Sequence, residues 1–151
     1  MHRTPTIVAL AACGLSATSA NAQWVHEFTH SGQEFGEFEA TDVALGDLDG
    51  DGDLDAMFAF GLNLPNTVWI NDGTGFFTDS GQALGNTSSN SVALGDLDGD
   101  GDLDAMVTSY GEPDTVWTND GTGTFTNSGQ PLGNSGSTSV ALGDLDGDGR
   151  S

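Results

Sequence analysis

The sequence predicts an all-β protein assembled from repeated four-stranded units, and three observations carry that prediction. Glycine accounts for 23 of the 151 residues, and strong helix formers are scarce, a composition of short strands joined by tight turns. The string Val43 to Gly52 recurs from Val92 and again from Val140, at spacings of 49 and 48 residues. Apolar runs of strand length alternate with Gly, Asn and Asp clusters, and after the first residues no segment sustains a 3.6-residue period.

Residues 1–22 stand apart. His2 and Arg3 give a short polar start, Ile7 to Leu15 is apolar, and Ala20-Asn21-Ala22 is a small-x-small cleavage signature, so the stretch reads as a secretory signal peptide cut before Gln23. The apolar run is shorter than the roughly 20 residues a bilayer span requires. Within the same stretch, Leu10-Ala11-Ala12-Cys13 resembles a bacterial lipoprotein box, which would instead leave the chain anchored at Cys13. Cleavage before Gln23 removes the single cysteine, and stability must then come from packing and metal.

Next comes a trailing strand region, 23–40, in which Phe28-Thr29-His30-Ser31-Gly32-Gln33 echoes Phe77-Thr78-Asp79-Ser80-Gly81-Gln82. A first unit, 41–89, carries four expected strands near Asp42–Gly46, Leu54–Phe60, Asn66–Asn71 and Phe76–Ser80. The second unit, 90–138, repeats them near Ser91–Gly95, Leu103–Tyr110, Asp114–Asn119 and Thr124–Ser128. The start of a third occupies 139–151. Asn71-Asp72-Gly73 and Asn119-Asp120-Gly121 tolerate the positive φ of a tight hairpin. Leu54 to Phe60 is almost continuously apolar after its aspartate, as in a strand covered on both faces. Trp69 and Trp117 recur at one repeat position and are expected to pack between units. Four antiparallel strands per repeat make one propeller blade, so the expected architecture is an incomplete β-propeller.

Net charge is −21 with no lysine, and the two arginines, Arg3 and Arg150, lie at the extremes. Nucleic acid and anionic membrane surfaces would repel such a chain, and neither is an expected partner. The acids are interleaved with Val43, Leu45, Leu54, Met57, Phe58, Val68 and Trp69, which distinguishes a cation binder with a core from a disordered acidic tail.

The acids are also patterned. Asp47-x-Asp49-x-Asp51-Gly52-Asp53-x-Asp55 returns as Asp96-x-Asp98-x-Asp100-Gly101-Asp102-x-Asp104. Calcium takes six to eight hard oxygens at about 2.3–2.6 Å, and carboxylates at alternate positions wrap a sphere of that size. Positions 1, 3, 5 and 9 offer side chains, Asp53 and Asp102 at position 7 a backbone carbonyl, and glycine at position 6 permits the bend. A standard EF-hand needs glutamate at position 12, where Phe58 and Val107 stand, so the sites are strand-loop-strand. Two carboxylates about 4 Å apart repel by roughly 4 kcal/mol at an effective dielectric of 20, which disfavours crowding without a cation. A third loop brings Asp144, Asp146 and Asp148 and no position-9 ligand.

Ser91 to Asp104 resembles the calcium segment of FG-GAP repeats, found in the integrin α-subunit propeller, and the full unit with its Val-Trp and Asn-Asp-Gly-Thr-Gly elements is closer to bacterial VCBS-type repeats. Gly111-Glu112-Pro113-Asp114 departs from the Gly-Ala-Pro segment of the integrin repeat. The resemblance implies structural calcium at both aspartate loops and a propeller that binds extracellular proteins or glycans, as in cell adhesion. Antiparallel order places the one-to-two and three-to-four turns on one edge, leaving Leu62–Asn66, Glu112–Asp114, Asn86–Asn90 and Asn134–Ser139 on the other for a partner. The chain is not expected to be an enzyme: beyond the signal peptide it has no cysteine and no lysine, and His26 and His30 lie outside the regular repeats. Two other roles remain open, a spacer array in a larger surface protein and the non-catalytic part of a polysaccharide-active enzyme. Two and a fraction units should not close a ring alone, so further blades or self-association are expected.

Overall fold

A computed structural model describes residues 31–35, 38–133 and 136–144. The signal peptide, Cys13, His26, His30, both arginines, Asp146 and Asp148 fall outside them. Among the described residues there are eight strands and no helix: β1 (Ala40–Gly46), β2 (Asp55–Phe60), β3 (Thr67–Asn71), β4 (Phe77–Asp79), β5 (Ser89–Gly95), β6 (Asp104–Ser109), β7 (Asp114–Asn119) and β8 (Phe125–Leu132). They form two four-stranded antiparallel sheets, ordered β1-β2-β3-β4 and β5-β6-β7-β8. This is the propeller-like blade arrangement read from the repeat. The expected boundaries move by a residue or two, most at β8, where pairing of Asp114 with Leu132 prolongs the ladder.

The central strand β2 is buried along its whole length, because its alternate residues serve two cores. Met57 and Ala59 face the second sheet and join Leu48, Val68 and Leu84 against Val92, Ala105, Val107, Trp117 and Phe125. Ala56, Phe58 and Phe60 face the other way and pack with Phe77, Phe35, Leu64 and Trp69. Trp117 is therefore a packing residue between sheets, as its repeat position predicts. Trp69 is half-buried, with its ring centroid 5.3 Å from that of Phe35.

Polar stitches recur between sheets at the repeat interval. The Thr41 hydroxyl donates to the Ala59 carbonyl and, at 2.9 Å, to that of Ser89, while Asn90 donates from Nδ2 to the Ser137 carbonyl. The Asp42 carboxylate accepts from the Ser91 hydroxyl and the Val92 N–H. A glutamine clasp also repeats: Gln82 donates to the Gly123 carbonyl and accepts from the Phe125 N–H, and Gln33 brackets the main chain of Phe77 in the same way. Two residues on, Leu84 enters the core between the sheets while its backbone pairs with Asn66. Phe35 takes the corresponding place on the first sheet, 5.2 Å from Phe58 and 5.5 Å from Phe77 between ring centroids.

Candidate metal centre

The loops between β1 and β2 and between β5 and β6 are built alike. Their glycines Gly52 and Gly101 hold φ at +95° and +100°, a conformation that L side chains rarely adopt and that turns the loop back on itself. The first three aspartates of each loop then cap backbone N–H groups. Asp47 accepts from Gly50 and Gly52, Asp49 from Asp51, and Asp51 from Asp53; Asp96, Asp98 and Asp100 repeat the pattern. These short-range bonds orient the carboxylates within each loop.

Asp55 and Asp104, at the first residues of β2 and β6, are fully buried. Asp55 accepts from the Leu48 N–H and the Asn71 N–H, both at 2.8 Å. Asp104 accepts from the Leu97 N–H at 2.8 Å and the Asn119 N–H at 2.9 Å. Each carboxylate thus ties its own loop to the end of the third strand of its sheet.

Carboxylate oxygens of Asp47, Asp49 and Asp55 lie within 4.8 Å of one another, and those of Asp96, Asp98 and Asp104 do the same. Asp51, Asp53, Asp100 and Asp102 contribute no oxygen to these groups. The Asp53 carboxylate instead lies over Gly73, where a Cβ would overlap it, and Asp102 covers Gly121 in the same manner. Asp144 is described without its partners Asp146 and Asp148, so the third loop's group lies outside the described residues.

The electrostatics follow the crowding. The Asp49 carboxyl is pushed above the ordinary aspartate range by desolvation, with Asp55, Asp51 and Asp47 adding repulsion against the backbone N–H of Asp51. Asp98 is raised likewise, first by desolvation and then by Asp104 and Asp100. Among the described residues no lysine, arginine or histidine stands near to relieve this charge. On the three-to-four turns the opposite holds. The Thr74 hydroxyl and N–H pull the Asp72 carboxyl below its usual value, and Thr122 does this for Asp120. Three hard oxygen donors per loop, with no cationic side chain beside them among the described residues, are groups that could hold a metal ion.

The loop edge and the opposite edge separate as the strand order requires. On the loop edge, Gly50 faces the Gly121 carbonyl and Gly123 faces the Leu48 carbonyl, so the first loop sits against the second sheet's three-to-four turn. On the opposite edge, Leu62 and Tyr110 are 86% and 72% exposed and both hold Ser88, which accepts the Leu62 N–H at Oγ and the Tyr110 N–H at its carbonyl. Leu62 and Asn63 there adopt positive φ, at 60° and 59°. Two residues of this edge make hydrogen bonds within the fold. Asn66 caps the Phe60 N–H, and the buried Asp114 accepts from the Ser109 N–H and the Ser137 hydroxyl.

In the sequence, Asn71 and Asn119 recur as turn residues and Gln33 and Gln82 as part of the repeat echo. Their recurrence is the available signal, but it does not show that the asparagines bind the buried aspartates or that the glutamines clasp the following sheet.

No curated protein matches the chain. A family model described as FG-GAP-like repeat matches residues 47–107 and 96–151. The two matches begin at Asp47 and Asp96, the first carboxylate of each loop, and together they span most of the chain. The chain belongs to the FG-GAP-like repeat family.

Proposed function

We propose that the chain is a secreted, calcium-stiffened repeat module that binds an extracellular protein or glycan through the edge opposite its aspartate loops. The observation that carries this reading is the division of labour between edges. One edge repeats two carboxylate groups almost residue for residue, while the other differs between repeats and exposes Leu62 and Tyr110. Asp47, Asp49, Asp55 and Asp96, Asp98, Asp104 would hold calcium, with Asp51, Asp53, Asp100 and Asp102 completing the loops and Asp144, Asp146 and Asp148 beginning a third. Bound calcium supplies charge neutralisation that no lysine, arginine or histidine among the described residues provides. A non-catalytic role agrees with the family.

The test is binding of the chain to arrays of extracellular proteins and glycans, in millimolar calcium and in chelator. Calcium-dependent capture that is lost in a Leu62→Ser, Tyr110→Ser double variant is expected, with the calcium affinity of that variant unchanged. Capture indifferent to both the ion and the variant contradicts the reading.

A second reading, a blade array within a larger surface assembly, is favoured by the outer face of the first sheet. There Phe35, Phe38, Phe60, Leu64, Pro65 and Trp69 line a groove of about 350 Å³, and Leu45 and Leu54 are about half exposed. Their counterparts Leu94 and Leu103 pack on Gly46 of the neighbouring sheet. Within the groove, Phe35 and Trp69 stand where Leu84 and Trp117 are covered between the two sheets.

A further inference from the structure

We infer that the two aspartate loops form one coupled unit, linked across the sheet interface by Asn119. The inference rests on the calcium reading above. Asp104 Oδ1 accepts the Asn119 N–H at 2.9 Å; Asn119 Nδ2 donates to the Leu48 carbonyl at 2.8 Å; and the Leu48 N–H donates to Asp55 Oδ2 at 2.8 Å. Three hydrogen bonds through two residues thus join the last carboxylate of one loop to the last carboxylate of the other.

Every member of the relay is out of water: Asp55 and Asp104 are 0% exposed, Leu48 1% and Asn119 4%. A shift at one end cannot be taken up by solvent, because an unmade bond here leaves a buried polar group without a partner. Leu48 adds a packing link, since its side chain fills the core between the sheets while its main chain carries the relay. Asn71, at the equivalent place on the first sheet, makes the same two bonds within its own sheet, to the Asp55 carboxylate and the Leu54 carbonyl, as Asn119 makes to Asp104 and the Leu103 carbonyl. The bond to the Leu48 carbonyl is the one that carries Asn119 across to the other sheet.

Ordering either loop orders the other, and by linkage each site then raises the affinity of its neighbour. Asn119 is a positioning residue in this scheme, since it acts on the carboxylates and need not touch an ion.

The test is a calcium titration of the full chain followed by the amide resonances of Gly52 and Gly101, one in each loop. Both are expected to titrate with a Hill coefficient above about 1, towards the limit of 2 for two sites. Asn119→Ala should bring both coefficients to 1 and weaken the Gly52 midpoint by about threefold to tenfold, the worth of one buried hydrogen bond. In chelator it should also speed exchange of the Leu48 amide. Asn71→Ala damages the equivalent turn but should leave the coefficients above 1. Asn119→Ser, which like the alanine variant keeps the main-chain bond to Asp104 and loses the carboxamide but leaves a polar side chain, serves if the alanine variant loses its β-sheet circular dichroism. Independent titration in the wild type, or coupling retained without the Asn119 carboxamide, overturns the inference. Glycine amides that do not respond to calcium at all would instead remove the calcium reading, and the coupling with it.

Discussion

Asp55 is the residue on which each loop's logic is easiest to see. Its carboxylate accepts two backbone N–H groups at zero exposure, so it holds the loop together whether or not a cation is present. Asp55→Ala leaves both donors buried and unpaired, and in chelator it should cost about 2–5 kcal/mol by chemical denaturation. Asp51→Ala, which opens only an exposed turn bond, should cost no more than about 1 kcal/mol in the same assay. Gly73 gives a steric test of the neighbouring turn. It holds φ at +77° with the Asp53 carboxylate where a Cβ would stand, so Gly73→Ala should destabilise by about 1–2 kcal/mol or more. The sequence announced the aspartates by their spacing. It did not show that Asp55 would be wholly buried or that Asp53 would turn onto Gly73, because both depend on where the third strand ends.

At the scale of the element, each aspartate loop is also a core segment. Leu48 is 1% exposed because the second sheet covers it, whereas Leu97, its counterpart, is only half-buried among the described residues. Leu48→Ala should therefore cost about 2–5 kcal/mol, and Leu97→Ala clearly less, when unfolding is followed in the same buffer. The three-to-four turns give a pH signature. The Thr74 hydroxyl lowers the Asp72 carboxyl, so the turn's contribution is present above the unfolded aspartate value of about 3.9 and is lost as pH falls through the lower folded one. Thr74→Val should raise the Asp72 titration midpoint, read by carboxyl NMR, towards the ordinary value. The strands themselves were legible, since β2 alternates between two cores and reads as continuously apolar. The extension of β8 was not: it follows from pairing of Leu132 with Asp114, a long-range contact that no local pattern encodes.

Across the whole molecule, the repeat explains what touches what. The second sheet presents an apolar face that Leu48 and Met57 of the first cover, and the first sheet presents its equivalent face outward. The period near 49 residues revealed the number of units and which turns share an edge. It did not reveal the clasp, in which Gln33 and Gln82 reach into the following sheet and deliver Phe35 and Leu84 to its core. That arrangement joins the end of one unit to the middle of the next, beyond the reach of strand patterning. We propose that the half-exposed Leu45 and Leu54 on the first sheet are covered by a further blade or a second copy. Sedimentation velocity of the chain in calcium should show mass above one chain at high concentration, and Leu54→Asp should reduce it without loss of β-structure.

The central claim is that repeated carboxylate loops bind calcium and thereby order the sheets. Calorimetric titration of the chain with calcium, paired with far-UV circular dichroism with and without the ion, tests it most directly. Binding at the two complete loops, accompanied by a gain of β-sheet signal and an upward shift of the thermal midpoint, is the predicted result. No heat and no spectral change up to millimolar calcium would contradict it.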